Sequence, residues 1–393
     1  MTSLRKNKTV SINAEAYGTL ELIKNGVLSK FNALMDAEEA RQAHKSGYFN
    51  GEPMPYSFVF APYGKLNQKV VGELKNGERV ELLYGDVKVG HIDVRSVFKF
   101  SDDLKEKNIF LANERANDDE LNLGELAVSG EFEIYDETIK NTKAKISAIK
   151  KEQNVSRITA LFLTADPLNR AHERVIRMTI DKTDLVVIFL VRTLQEPHIA
   201  YDLRLKTLEY FVQNYLPANR AVVFALKNTT LFGSHQNPTL ECIAARRLGA
   251  DKLVIGQNHG GLGMFFDHNR AHTILDRYPN ELKMEVIVLP ELVYCNRCRT
   301  LVSTKTCPHG QHHHIKYRPE TLKSLLFNGI IPPAILMRPD ISAFILSELF
   351  PQRFSDIQKL CDELFPNSGL LEKRSEREFY EELMKLYQTS SMT

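Results

Sequence analysis

RITALFLTADPLNRAHE, residues 157–173, joins six apolar or β-branched residues to a cluster of turn formers and then to a helix start. A short, nearly continuous apolar run of this kind suits a strand buried on both faces, which implies a parallel sheet covered by helices. The alternation continues downstream: a helical stretch from Leu168, DLVVIFLV, a helix through 202–215, AVVFALK, a helix through 238–248, and KLVIG. Residues 151–290 are therefore expected to form a doubly wound α/β domain. Its ligands should sit where strands give way to helix N-termini, after Leu163, Leu226 and Ile255.

Outward from this core the pattern changes twice. Residues 1–150 carry short β-type runs (SFVFAP, RVELLYG, VKVGHIDVRSVFKF, GEFEIYD) separated by Gly, Asn and Asp, which predicts a β-rich first domain. The lysine-rich stretch 136–153 reads as an exposed connector or surface helix. Beyond a short segment at 291–318, residues 319–393 (TLKSLLFNG, PPAILMRPDISAFILSELF, SDIQKLCDELF, EREFYEELMKLY) repeat apolar residues at helical spacing, as packing surfaces do. No fixed repeat period indicates a solenoid.

At 393 residues, two or three domains are expected. Fifty-one basic and forty-nine acidic side chains leave a net charge of +2, too little for the broad positive field of a nucleic-acid binder, so an anion site must be local. The first residues lack the apolar stretch of a signal peptide, and no run suits a membrane span, so a cytoplasmic protein is expected.

Two segments carry phosphate chemistry. TADPLNRAHE (164–173) leaves a buried strand and enters a helix, where free backbone N–H groups and the helix dipole favour an anion. Asn169 and His172, three apart, share one face of that first turn; the competing reading is a plain cap, with Asn169 closing the helix. IGQNHGGLGMFF (255–266) ends another strand, and its glycines admit a ligand close to the backbone around His259, although a simple tight turn fits the same residues. The third segment is metal-like. Cys295, Cys298 and Cys307 crowd together ahead of His309 and His312, the spacing of a closed zinc site. His312 is the favoured fourth ligand because the intervening residues let the loop turn back, with His309 as its rival; Cys242 and Cys361 read as lone thiols.

These segments resemble the ATP-sulfurylase (sulfate adenylyltransferase) family in order along the chain. TADPLNRAHE is similar to the family's Q-T-R-N-P-x-H-x-A-H-E, GQNHGG to G-R-D-H-A-G, GVLSKFNALM (26–35) to G-x-F-S-P-L-x-G-F-M, VYCNRC with KTCPHG to the zinc-bearing insertion, and MRPDIS to M-R-P-E-V. The departures are specific. Leu163 and Ala165 stand where the family has Gln and Arg, Gln257 where it has a second Arg, and Asn169 where it has the first His. M-R-Y-A-G-P-R-E-A has become TLFGSHQNP, and S-G-T-x-x-R has become RPETLK, ending in Lys323. Bidentate arginine is the natural partner of an oxyanion, and neither alanine nor glutamine replaces it, so Arg170, Arg318 and Lys323 are the candidates for substitute charge.

The resemblance implies a β-rich, PUA-like N-terminal domain (1–150), a Rossmann-like nucleotidyltransferase domain of the HxGH type (151–290), a zinc knuckle (291–318) and a small helical C-terminal domain (319–393). It implies transfer of AMP from ATP to sulfate, giving adenylyl sulfate and pyrophosphate, in sulfate assimilation. His172, Asn169 and Thr164 would be catalytic. Leu163, Thr164, Ala165, Asp166, Gly256, Gln257, Asn258, His259 and Gly260 would line the nucleotide and oxyanion site. Magnesium with ATP, structural zinc, sulfate or another small anion, and self-association are expected, without nucleic acid or membrane. The alternatives are a nucleotidyltransferase with another acceptor and a non-catalytic binding protein on the same scaffold.

Overall fold

Strands Ile158–Leu163 and Leu185–Val191 are apolar at nearly every position, and every residue of the second is buried, as a strand covered on both faces requires. In the computed structural model they lie at the centre of a five-stranded sheet ordered Ala221–Leu226, Leu185–Val191, Ile158–Leu163, Lys252–Gly256, Glu285–Leu289. Ile158–Leu163 pairs parallel with both of its neighbours, and Lys252–Gly256 pairs parallel with Glu285–Leu289. Phe162 stacks on Phe189 with centroids 4.4 Å apart, and Phe224 and Phe232 extend this aromatic core. The parallel α/β reading holds.

The structure describes residues 8–105, 107–111, 123–193, 197–232, 238–256, 266–267, 270–271, 283–365 and 373–389. They fall into two units that interleave along the chain. The first comprises Met1–Leu163, Thr183–Leu194 and Phe224–Leu289; the second comprises Thr164–Lys182, Gln195–Val223 and Pro290–Thr393.

Besides the parallel sheet, the first unit contains a second five-stranded sheet, ordered Lys8–Ile12, Arg79–Tyr84, Val87–Lys99, Leu126–Ile134, Ala33–Leu34. Its first pair is parallel and the others antiparallel. Tyr84 pairs with Val87, leaving a two-residue turn whose first position, Gly85, has φ +59°, the conformation such hairpins ask of glycine. Helix Ala14–Lys24 is capped by Asn13 and approaches the segment after strand Ala221–Leu226 so closely that a Cβ on Gly18 would lie 2.5 Å from the Asn228 carbonyl oxygen. Beside it the buried Glu15 carboxylate accepts the Thr229 hydroxyl at 2.8 Å and both the N–H and hydroxyl of Thr230 at 2.7 Å. Burial pushes Glu15 above the ordinary carboxylate range, against the pull of these donors. The carboxyl-end exit of that strand is thereby pinned.

The second unit is mainly helical: Arg170–Ile180, Tyr201–Tyr215, Pro319–Phe327, Pro339–Leu349, Ile357–Leu364 and Glu376–Thr389. The expected helical tail is present. Arg377 lies over the rings of Tyr210 and Phe344, at 4.3 and 4.8 Å, tying three of these helices together. A small antiparallel sheet, ordered Thr300–Ser303, Leu292–Cys295, His314–Lys316, carries the cysteines.

Candidate functional site

Chain order along the parallel sheet reverses direction between Ile158–Leu163 and Lys252–Gly256. In open α/β sheets ligands bind outside the carboxyl ends of the strands at this switch point. Leu163 and Gly256 are therefore the two strand ends of interest, as their sequence motifs suggested. Gly256 is exposed. Gln257, Asn258, His259 and Gly260 lie outside the described residues, as does most of TLFGSHQNP.

The chain leaves Leu163 through a turn that belongs to the second unit. Ala165 is buried with φ +46°, a left-handed conformation unusual for a residue with a Cβ, so its surroundings must hold it. Asp166 is buried, accepts the Ile199 N–H at 2.9 Å through one carboxylate oxygen and meets Lys323 Nζ at 3.1 Å through the other. Arg204, 1% exposed, donates through Nη1 to the Thr164 carbonyl and through Nε to the Ile199 carbonyl at 3.0 Å. Asp166 thus braces the turn from behind.

At the helix start, Asn169 Oδ1 accepts the N–H groups of Ala171 (3.0 Å) and His172 (3.2 Å), while the Asn169 N–H donates to His172 Nδ1 at 3.3 Å. This is a capping box in which histidine takes the usual glutamate position. Because Nδ1 is the acceptor, neutral His172 carries its proton on Nε2, making that edge a donor. The Asn169 carbonyl is spent on the cap, so only its amide nitrogen can serve a ligand. The plain capping role is thus present, and it also orients the imidazole.

The candidate substitute charges are placed less favourably. Arg170 donates to the Ala334 carbonyl at 3.1 Å and pairs with Glu173 at 3.3 Å. Lys323 is committed to Asp166, and Arg318 is an exposed residue at the start of helix Pro319–Phe327. Arg338, from MRPDIS, pairs with the buried Glu173 at 2.9 Å and lies 3.8 Å above the Tyr215 ring, whose hydroxyl donates to Asp340. The motif residue secures helix Arg170–Ile180 within its unit. Arg204 and Arg338 escaped sequence reasoning as supports of the turn.

Cys295, Cys298, Cys307 and His309 bring their ligand atoms within 4.8 Å of one another. His309 Nδ1 lies 3.5, 3.3 and 3.7 Å from the sulfurs of Cys295, Cys298 and Cys307, and Cys298 Sγ is 3.9 Å from Cys307 Sγ. Tetrahedral zinc with ordinary bond lengths sets sulfur–nitrogen edges of about 3.6 Å and sulfur–sulfur edges of about 3.8 Å, so these residues fit that ion. Of the two candidate fourth ligands, the rival His309 and not the favoured His312 is the one grouped with the three sulfurs. The Cys307-Pro308-His309 spacing delivers the near ring nitrogen directly, whereas His312 sits exposed in the turn Gln311–His313, its ring 4.1 Å from that of His313. Cys242 and Cys361 are buried and separate from the cluster, as lone thiols should be.

No described helix is long and apolar enough to cross a membrane. Residues 137–348, more than half of the chain, match the ATP-sulfurylase family model. A sulfate adenylyltransferase of Deinococcus deserti is 26% identical over 359 residues, covering 88% of this chain and 90% of the relative. That of Carboxydothermus hydrogenoformans is 28% identical over 227 residues, covering 56% and 59%. Among solved structures, a hexameric APS kinase from Thiobacillus denitrificans aligns with TM-score 0.65 and 16% identity, covering 89% of this chain but 64% of that one, a likeness of fold. With its braced turn at the switch-point strand and a family match across both that turn and the cysteine cluster, the chain belongs to the ATP-sulfurylase family of nucleotidyltransferases.

Proposed function

We propose that this protein is a sulfate adenylyltransferase. A sulfate oxygen attacks the α-phosphorus of magnesium-bound ATP, the bond to the bridging oxygen breaks, and pyrophosphate leaves as adenylyl sulfate forms. Such chemistry needs positioning and charge neutralisation more than a covalent nucleophile. The observation that supports the reading is His172: its Nδ1 accepts the Asn169 N–H, which puts the proton of the neutral ring on Nε2, the donor proposed here for phosphate oxygens. In this reading the Asn169 amide and the backbone of Thr164 and Ala165 line the nucleotide, with Asp166 acting behind them, while Gly256, Gln257, Asn258, His259 and Gly260 receive the remaining phosphates and the acceptor. Zinc on Cys295, Cys298, Cys307 and His309 would support folding of the small sheet, outside the reaction.

A second reading changes the acceptor. It is favoured by the absence of arginine at Ala165 and Gln257, by leucine in place of glutamine at Leu163, and by the pairing of Arg170 and Lys323 with carboxylates. A screen of anions for pyrophosphate release from ATP and magnesium separates the two: sulfate as the best acceptor supports the first, and silence with sulfate beside turnover of another anion supports the second. A scaffold without catalysis predicts no turnover with any acceptor, and calorimetry with an ATP analogue reports whether it still binds nucleotide.

The N-terminal β-rich part is proposed to be PUA-like, and the divisions near 150, 290 and 318 to be module boundaries. A cytoplasmic location and a homo-oligomer complete the proposal. The APS kinase of similar fold is hexameric, which is in keeping with self-association.

A further inference from the structure

We propose that Asp166 and Lys323 are a positioning pair for the nucleotide-binding turn, an inference that rests on the function above and assigns roles to residues that do not touch substrate. The two side chains are 5% and 4% exposed and 3.1 Å apart. Charges so far from water persist only when paired, and removing one leaves the other stranded. The second Asp166 oxygen takes the Ile199 N–H, while Arg204 takes the carbonyls of Ile199 and Thr164. A closed circuit therefore runs from Thr164 through Arg204 and Ile199 to Asp166. Inside it sits Ala165, in a backbone conformation that a residue with a Cβ adopts only under external constraint.

The sequence departures point the same way. Asp166 occupies the Asn position of the family's Q-T-R-N-P, and Lys323 the Arg position of S-G-T-x-x-R. They are 157 residues apart, yet the fold joins them in one contact. Each change alone alters the chemistry at a buried position, whereas together they form a neutral ion pair. Lys323 is thus a brace for the turn, and the acceptor must find its positive charge elsewhere.

The test compares Lys323 variants and an Asp166/Lys323 double variant of the full chain, read by calorimetric binding of α,β-methylene-ATP with magnesium below the melting temperature, and by hydrogen exchange at the Ile199 amide. Lys323→Met should weaken binding by about tenfold or more and accelerate exchange at Ile199. Asp166→Asn/Lys323→Met, which strands no charge, and Lys323→Arg should each bind within about threefold of wild type, because coupled neighbours are non-additive. If Lys323→Met does not fold, these two variants decide the matter, and a tenfold loss in both overturns the pairing. A double variant as weak as a folded Lys323→Met points to direct lysine–nucleotide contact and also overturns it. Unchanged binding in Lys323→Met, with wild type binding normally, refutes the positioning role alone. A wild type that binds no nucleotide removes the function and this inference together.

Discussion

Replacing His309 with alanine should cost the protein most of its zinc affinity, while replacing His312 should not. The distances define the contrast: His309 Nδ1 lies 3.3–3.7 Å from all three sulfurs, whereas His312 stands in an exposed turn outside the cluster. Structural zinc sites of four ligands bind with roughly 10–16 kcal/mol, so one ligand in four is worth about 3 kcal/mol, or a factor of more than about 100 in affinity. The small sheet has little else to stabilise it, since Val293 and Cys295 are its only buried positions among the described strand residues. Its folding should follow the metal. Zinc content after dialysis and competition against a chromogenic chelator would be measured for wild type, His309→Ala, His312→Ala and Cys298→Ala, with thermal melting in parallel. Loss of zinc in His312→Ala with retention in His309→Ala would refute the geometric assignment. A wild type without zinc would refute the metal site altogether.

Two further perturbations probe the first unit. Burial, then the neighbouring Asp136 carboxylate, raises Glu21 to about 7, so its protonated form is the one the fold accommodates. Its stabilising contribution is complete below the unfolded value near 4.5 and is lost as pH rises through about 7, a change of about 3 kcal/mol. Glu21→Gln should flatten urea-melt stability across that window, and an unaltered pH slope would exclude Glu21 as the cause. Gly18→Ala places a methyl group 2.5 Å from the Asn228 carbonyl oxygen, a clash with backbone that should destabilise by about 1–3 kcal/mol; an unchanged denaturation midpoint would mean that the helix can move away at no cost.

The α/β core was legible because its strands are short, apolar and buried on both faces, so Ile158–Leu163 and Leu185–Val191 stand out against turn formers and amphipathic helices. The cysteine trio was legible for the same local reason. Which histidine joins the trio was not legible, because loop slack allows either His309 or His312, and only the folded geometry brings the His309 ring nitrogen beside the sulfurs. Long-range pairings left no local trace: Lys323 meets Asp166 across 157 positions, Arg204 meets Thr164 across 40, and Glu15 meets Thr230 across 215. Lys323 therefore looked like spare positive charge, although the fold commits it to a carboxylate. Asn169 illustrates the converse. Its capping role was readable from the strand-to-helix transition, but the reciprocal bond that orients His172 required the backbone geometry.

The most direct measurement of the central claim is pyrophosphate release from ATP and magnesium, with and without sulfate, by wild type and His172→Ala. If His172 Nε2–H stabilises charge developing on the phosphate, release should depend on sulfate and fall by about 10²–10³-fold in the variant, the usual loss for one oriented donor. Release that ignores sulfate, or that is equal in the two proteins, would contradict the account.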